Sequence, residues 1–106
     1  MTPLQEGELA EIRVAVSTSV PALALSIVAA YSSRRPVCVV AIGPFPLSVA
    51  FKAVCTANKT LAPRGVALAI MPGMEMRELE DLMSGLPKAW MVSTMRLVNI
   101  MGAGQG

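Results

Sequence analysis

Val37–Ile42, "VCVVAI", is an unbroken apolar run rich in β-branched residues. Pro36 closes it on one side and Gly43-Pro44-Phe45-Pro46 on the other. A run this short, without polar alternation, predicts a strand buried on both faces. The flanking segments fall into place around it. "EIRVAV", Glu11–Val16, alternates and predicts a first strand. Thr18 or Ser19 can cap a helix with Pro21 in its first turn. In that helix Val20, Leu23, Ala24, Ile27, Val28 and Tyr31 recur at helical spacing, and it is expected to end near Ser33, ahead of Pro36. After the Gly-Pro-Phe-Pro turn a second helix is predicted from about Pro46 to Leu61, with Leu47, Ala50, Val54, Ala57 and Leu61 as its apolar stripe. "APRG" ends it. Val66–Met71 reads as a third strand and Ala89–Ile100 as a fourth. The charged segment between them, within 74–88, is expected to be a short helix or an ordered arm. The order is β-α-β-α-β-β: an α/β (α+β) chain with a four-stranded mixed sheet and two helices. It forms one domain over 11–101, between an acidic tail at 1–10 and a flexible tail at 102–106.

With 106 residues there is room for one domain. The chain is 54% hydrophobic and only 15% charged, with mean hydropathy +0.59. That apolar load exceeds what one small core absorbs, so a homodimer or larger assembly is expected. The apolar runs are too short or too interrupted by Gly43, Pro44 and Pro46 to predict a membrane span. "MTPLQEGELAE" has neither a signal-peptide core nor an arginine-rich transit pattern. Cys38 and Cys55 are isolated, without metal or redox spacing. They predict buried thiols in a reducing, cytoplasmic compartment. Histidine is absent, acids occur only in the N-terminal segment and the arm, and no phosphate-loop or dinucleotide motif is present. The expectation is a protein that is not an enzyme and uses no cofactor or metal.

Charge is unevenly spread. Between Ile12 and Pro72 there are six basic residues and no acid: Arg13, Arg34, Arg35, Lys52, Lys59 and Arg64. Helical crossovers make the first three strands parallel. On that topology Arg13, Arg34, Arg35, Lys59 and Arg64 collect at the amino ends of the strands, and Arg96 in the antiparallel fourth strand points to the same end. Such a cluster suits nucleic acid or another acidic partner, and cations at helix C-termini also complement the helix dipole.

Ala41-Ile42-Gly43, Lys52-Ala53-Val54, Ala62-Pro63, Gly65-Val66 and Pro72 recur with the spacing of the stage V sporulation protein S family. By these motifs the chain resembles that family over roughly Glu11 to Ile100. The resemblance implies an Alba-like fold, similar also to the C-terminal domain of translation initiation factor three, and a dimer that binds nucleic acid. It implies contacts from the first strand–helix loop and from a basic hairpin arm. Here that loop is Ser17-Thr18-Ser19, without a cation, and the arm sets Glu75, Glu78, Glu80 and Asp81 against Arg77 and Lys88. The candidate nucleic-acid-binding residues are therefore Arg34, Arg35, Lys52, Lys59 and Arg64, with DNA or RNA as partner and binding directed to the backbone.

The alternative is a self-assembling or protein-interaction scaffold without nucleic acid. Seven of the eight methionines lie from Met71 onward, an adaptable packing surface. Met76, Leu79, Leu82, Met83 and Trp90 are the candidate oligomer interface. A basic pole facing an acidic arm would permit head-to-tail contact.

Overall fold

The computed structural model describes residues 8–81 and 83–100. Residues 1–7 and 102–106 of the expected tails, Leu82, and Met101 at the expected end of the domain lie outside the described residues. The elements are β1 (Ala10–Arg13), α1 (Val20–Ser32), β2 (Val37–Ala41), α2 (Pro44–Leu61), β3 (Leu68–Glu80) and β4 (Pro87–Asn99), with a 3₁₀ turn at Ala62–Arg64 after α2. This is the β-α-β-α-β-β order that periodicity predicts, an α+β fold. The sheet order is β1-β2-β4-β3. β2 pairs parallel with β1 and antiparallel with β4, and β3 pairs antiparallel with β4.

Every residue of β2 is buried, as the unbroken apolar run requires. Val37, Val39 and Ala41 join the main core with Leu23, Ile27, Val54 and Leu61 of the helices. Alternation sends Cys38 and Val40 to the other face. There they meet Val92 in a second, smaller cluster, flanked by Leu79 and Trp90. Ser19 caps α1, its Oγ accepting from the Ala22 N–H at 3.2 Å. α2 begins at Pro44, two residues ahead of expectation. Val49 and Ala53 are buried in addition to the predicted Ala50, Val54, Ala57 and Leu61. Cys38 is buried, but Cys55 is exposed, because it lies on the flank of α2 turned from that stripe. Burial pushes the Cys38 thiol above its ordinary pKa.

Of the two forms expected for the segment within 74–88, the structure has the ordered arm. It contains no helix among its described residues: β3 continues through Met74 and Glu78 to Glu80 and forms a long antiparallel hairpin with β4. Asp81 organises the tip. Its carbonyl accepts from the Gly85 N–H, its N–H donates to Leu86 O at 2.8 Å, and its Oδ1 accepts from the Met83 N–H at 2.9 Å. Gly73 sits in mid-strand opposite Thr94. A Cβ there would lie 2.7 Å from Thr94 Oγ1, so any side chain at position 73 would force the Thr94 hydroxyl to move.

The hairpin is held to the body by charge. Arg77 of β3 and Glu11 of β1 belong to the two outer strands. They nevertheless meet in a bidentate pair, Nη1 and Nη2 donating to Glu11 Oε2 and Oε1 at 2.7 and 2.8 Å. The arm therefore coils across the face opposite the helices and roofs Cys38, Val40 and Val92. Arg77 Nε also donates to Glu75 at 2.6 Å. The guanidinium hydrogen bonds hold the Glu11 carboxyl below its ordinary value of 4.5 and raise Arg77. A depressed carboxylate stabilises the fold above its unfolded pKa, and that contribution is lost as pH falls through the folded value. We expect the emission of Trp90, the chain's one tryptophan, to shift to the red as acid is added below about pH 4. In Glu11→Gln the shift should be present at neutral pH and the acid step absent.

Candidate nucleic-acid interface

The C-terminus of α1 builds the centre of the basic pole. Ser33 caps the helix. The Arg34 N–H then donates to Tyr31 O at 2.8 Å and the Arg35 N–H to Ala30 O at 3.2 Å. That paired pattern is a Schellman motif, whose residue after the cap is left-handed and normally glycine. Here it is Arg34, with φ 60°, the one described non-glycine residue at positive φ. An L-residue costs about 1 kcal/mol more than glycine in that conformation. Pro36 follows and prevents the helix from continuing.

The neighbouring cations are fixed by backbone and hydroxyl groups. Arg35 Nε and Nη2 donate to the carbonyls of Glu8 and Leu9 at 3.1 and 3.3 Å. Arg64, in the 3₁₀ turn after α2, donates from Nη1 to Ser32 Oγ at 3.0 Å, which ties the two helix ends together. Arg34, Arg35 and Arg64 thus gather around one helix terminus. Lys59 lies in the last turn of α2, beside the 3₁₀ turn that carries Arg64. Lys52 is two turns earlier on the same helix, about 10 Å along its axis, so it stands apart. Arg13 is likewise apart: it ends β1 rather than starting it, opposite Val40 and 3.9 Å from Glu11. Arg96 is exposed beside Cys38 on the arm's face of the sheet.

Between these groups is a cleft of about 610 Å³ bordered by Tyr31, Arg34, Arg35, Val37, Leu68 and Leu97. Among the described residues no carboxylate lines it. Two asparagines hold its floor. Asn58 of α2 accepts from the Leu68 N–H at 2.7 Å and donates to Leu68 O at 3.0 Å. Asn99 accepts from the Ala67 N–H at 3.2 Å and donates to the Tyr31 hydroxyl at 3.0 Å. Neither role has a local sequence signature, since each partner is remote in the chain.

The candidate oligomer residues divide. Leu79 and Trp90 pack on the small cluster beneath the arm, and Lys88 Nζ lies 4.6 Å over the Trp90 ring. Met76 and Met83 are exposed. A further apolar surface was not singled out from sequence: a groove of about 720 Å³ between the start of α2 and the root of the hairpin, lined by Pro44, Leu47, Phe51, Pro72, Met74 and Met95. Phe51 is 56% and Met74 68% exposed there.

Among the described residues no group of three or more His, Cys, Asp or Glu could hold a metal ion, and no helix is long and apolar enough to cross a membrane. The fold and this pole define a class: a small α+β domain with a helix-backed mixed sheet, a long hairpin and one cationic end. The chain belongs to the stage V sporulation protein S (SpoVS) family, whose model matches residues 10–85, from β1 through the hairpin tip. It is thereby a member of a sporulation-related family. No curated protein matches it.

Proposed function

We propose that this protein is a non-enzymatic, dimeric nucleic-acid-binding protein that engages phosphate backbones through its basic pole. The observation that carries the proposal is the gathering of Arg34, Arg35 and Arg64 around Ser32, beside a cleft that no carboxylate lines among the described residues. Lys59 extends the patch along α2, and Lys52 adds a more distant contact. Arginine donors suit phosphate oxygens, and contacts of this kind position a nucleic acid without reading its sequence. The hairpin contributes little to binding, because its Arg77 is taken up by Glu11 and Glu75. The exposed free thiol of Cys55 supports a reducing compartment such as the cytoplasm.

A salt titration tests this reading. Affinity for duplex DNA and for single-stranded RNA should fall linearly in log–log form, with a slope of about −3 to −4 from the three arginines and Lys59. Absence of binding to either at low salt would overturn it.

The dimer is assigned to the apolar groove rather than to the arm tip, since Phe51 and Met74 stand exposed together there. Wild type is expected to sediment as a dimer at tens of micromolar, roughly the range where stable dimers persist. Phe51→Asp with Met74→Asp should weaken association by about 100-fold or more, because it places charges in a dry contact. A monomeric wild type would refute the dimer.

A further inference from the structure

One face of the outer hairpin is covered and the other is bare. Leu79, Trp90 and Val92 turn onto Cys38 and Val40. Alternation sends the residues between them to the opposite face. There Met76 stands directly opposite Met91 and Glu78 opposite Ala89, with Met74 at the root. Met74, Met76 and Met91 are 68, 58 and 49% exposed. A row of large apolar side chains in water, continuous with the apolar groove through Met74, marks a contact surface.

The exposed side of α2 matches it. Pro44, Ser48, Phe51, Cys55 and Lys59 recur three or four residues apart and each is exposed, so they form one stripe along the helix. The first part of that stripe walls the groove. α2 carries Lys52 and Lys59 and no acid. The bare face of the hairpin carries Glu78 and Glu80 and, among its described residues, no cation. None of these four charges has an ion-pair partner among the described residues. Within one chain the two surfaces cannot meet, because α2 runs antiparallel to β3. Asn58 near the helix end bonds Leu68 at the start of the strand, and Pro44 at the helix start shares the groove with Met74. The hairpin therefore leaves the body beyond Pro44, while Lys59 lies at the far end of the helix. A second copy, related by a two-fold axis through the middle of the groove, reverses that direction.

We propose that the hairpin of each copy lies along α2 of the other. Met74 then rests on the partner's Phe51, Met76 on the partner's Cys55, and Glu78 beside the partner's Lys59. The spacings agree. From Met74, Met76 and Glu78 lie about 7 and 13 Å along the strand. From Phe51, Cys55 and Lys59 lie about 6 and 12 Å along the helix. Unbranched methionines can fit themselves to such a helix surface, and the charge pair fixes register more than it adds affinity. This inference rests on the dimer reading of the groove and adds to it an exchange of arms. Lys59 then faces a carboxylate instead of phosphate, which leaves the three arginines of the basic pole to hold nucleic acid.

The test is a cross-link read together with sedimentation. Met76→Cys is oxidised in solution and the linked peptides are mapped. Cys38 is buried, so Cys55 is the native thiol within reach. A link between position 76 and Cys55 is expected in most of the protein, since a disulfide needs Cα atoms within about 7 Å. Leu25→Cys, on the exposed side of α1, should link little. Glu78→Lys should weaken the dimer by about tenfold, because it sets two like charges together, and adding Lys59→Glu should restore it to within about threefold of wild type. If wild type is a dimer but Met76→Cys links to Cys55 no more than Leu25→Cys does, or links chiefly to its own counterpart, the exchange of arms fails and the groove dimer stands. A double variant as weak as Glu78→Lys overturns the pairing of Glu78 with Lys59. A monomeric wild type removes both readings.

Discussion

Replacing Arg34, Arg35 and Arg64 together by alanine is expected to weaken binding to every DNA and RNA tested, by about two to three orders of magnitude at 0.1 M salt. The slope of log affinity against log salt should flatten by about one unit per lost contact. Arg64 is tied to Ser32 at the end of α1 and Arg35 to the carbonyls of Glu8 and Leu9, with Arg34 between Ser32 and Arg35 and bordering the same cleft, so the three act on one stretch of backbone and their losses should accumulate. Lys52→Ala, on the middle of α2, should cost less. The folded structure should survive the triple change, because the hydrogen bonds made by the Arg35 and Arg64 side chains are exposed. Circular dichroism and filter binding on the same preparations separate the two effects. Undiminished affinity in the triple variant would remove the basic pole from the function.

Leu61→Ala should have the largest effect on stability. Leu61 is fully buried at the end of α2, within the core shared by both helices and β2. Removing its isobutyl group leaves a cavity that close-packed neighbours fill only in part, at a cost of about 2–5 kcal/mol. Domains of this size are stable by only about 5–15 kcal/mol, so the urea midpoint should drop sharply with little change in slope. Leu25→Ala is the control. Leu25 is exposed on α1, and the change should fall within about 0.5 kcal/mol of wild type.

What was legible in the sequence follows from the physics of each segment. β2 could be read because burial on both faces leaves a run with no polar interruption. The helices could be read because Ser19, Pro21 and the Gly-Pro-Phe-Pro turn mark their starts and a periodic stripe marks their inner face. The hairpin was less legible. Met, Glu, Leu and Arg in "MEMRELE" favour helix locally, and the alternation that would signal a strand is broken at Glu78 and Leu79. Pairing with β4 and the tie to Glu11 overrode that preference. The basic pole was visible in outline, because parallel strands force their preceding loops to one end. The separation of Lys52 and Arg13 from it depends on where along α2 and β1 each residue falls. The cleft was not visible at all, because Asn58, Asn99 and Tyr31 meet only through the fold.

The hairpin also determines how copies of this chain behave when crowded. β3 lies at the margin of the sheet with thirteen residues, and such a margin is a template on which another molecule can add a strand. Two features guard it. Pro72 removes a backbone donor near the root, and Glu75, Glu78 and Glu80 set like charges along the outer half. The other margin, β1, is only four residues long and offers little to pair with. The guard on β3 is thus largely electrostatic, and it is set by the sign of these side chains rather than by their bulk. Replacing Glu78 and Glu80 by valine should therefore convert a dispersed protein into intermolecular sheet, while the charged margin of the wild type keeps the molecules apart.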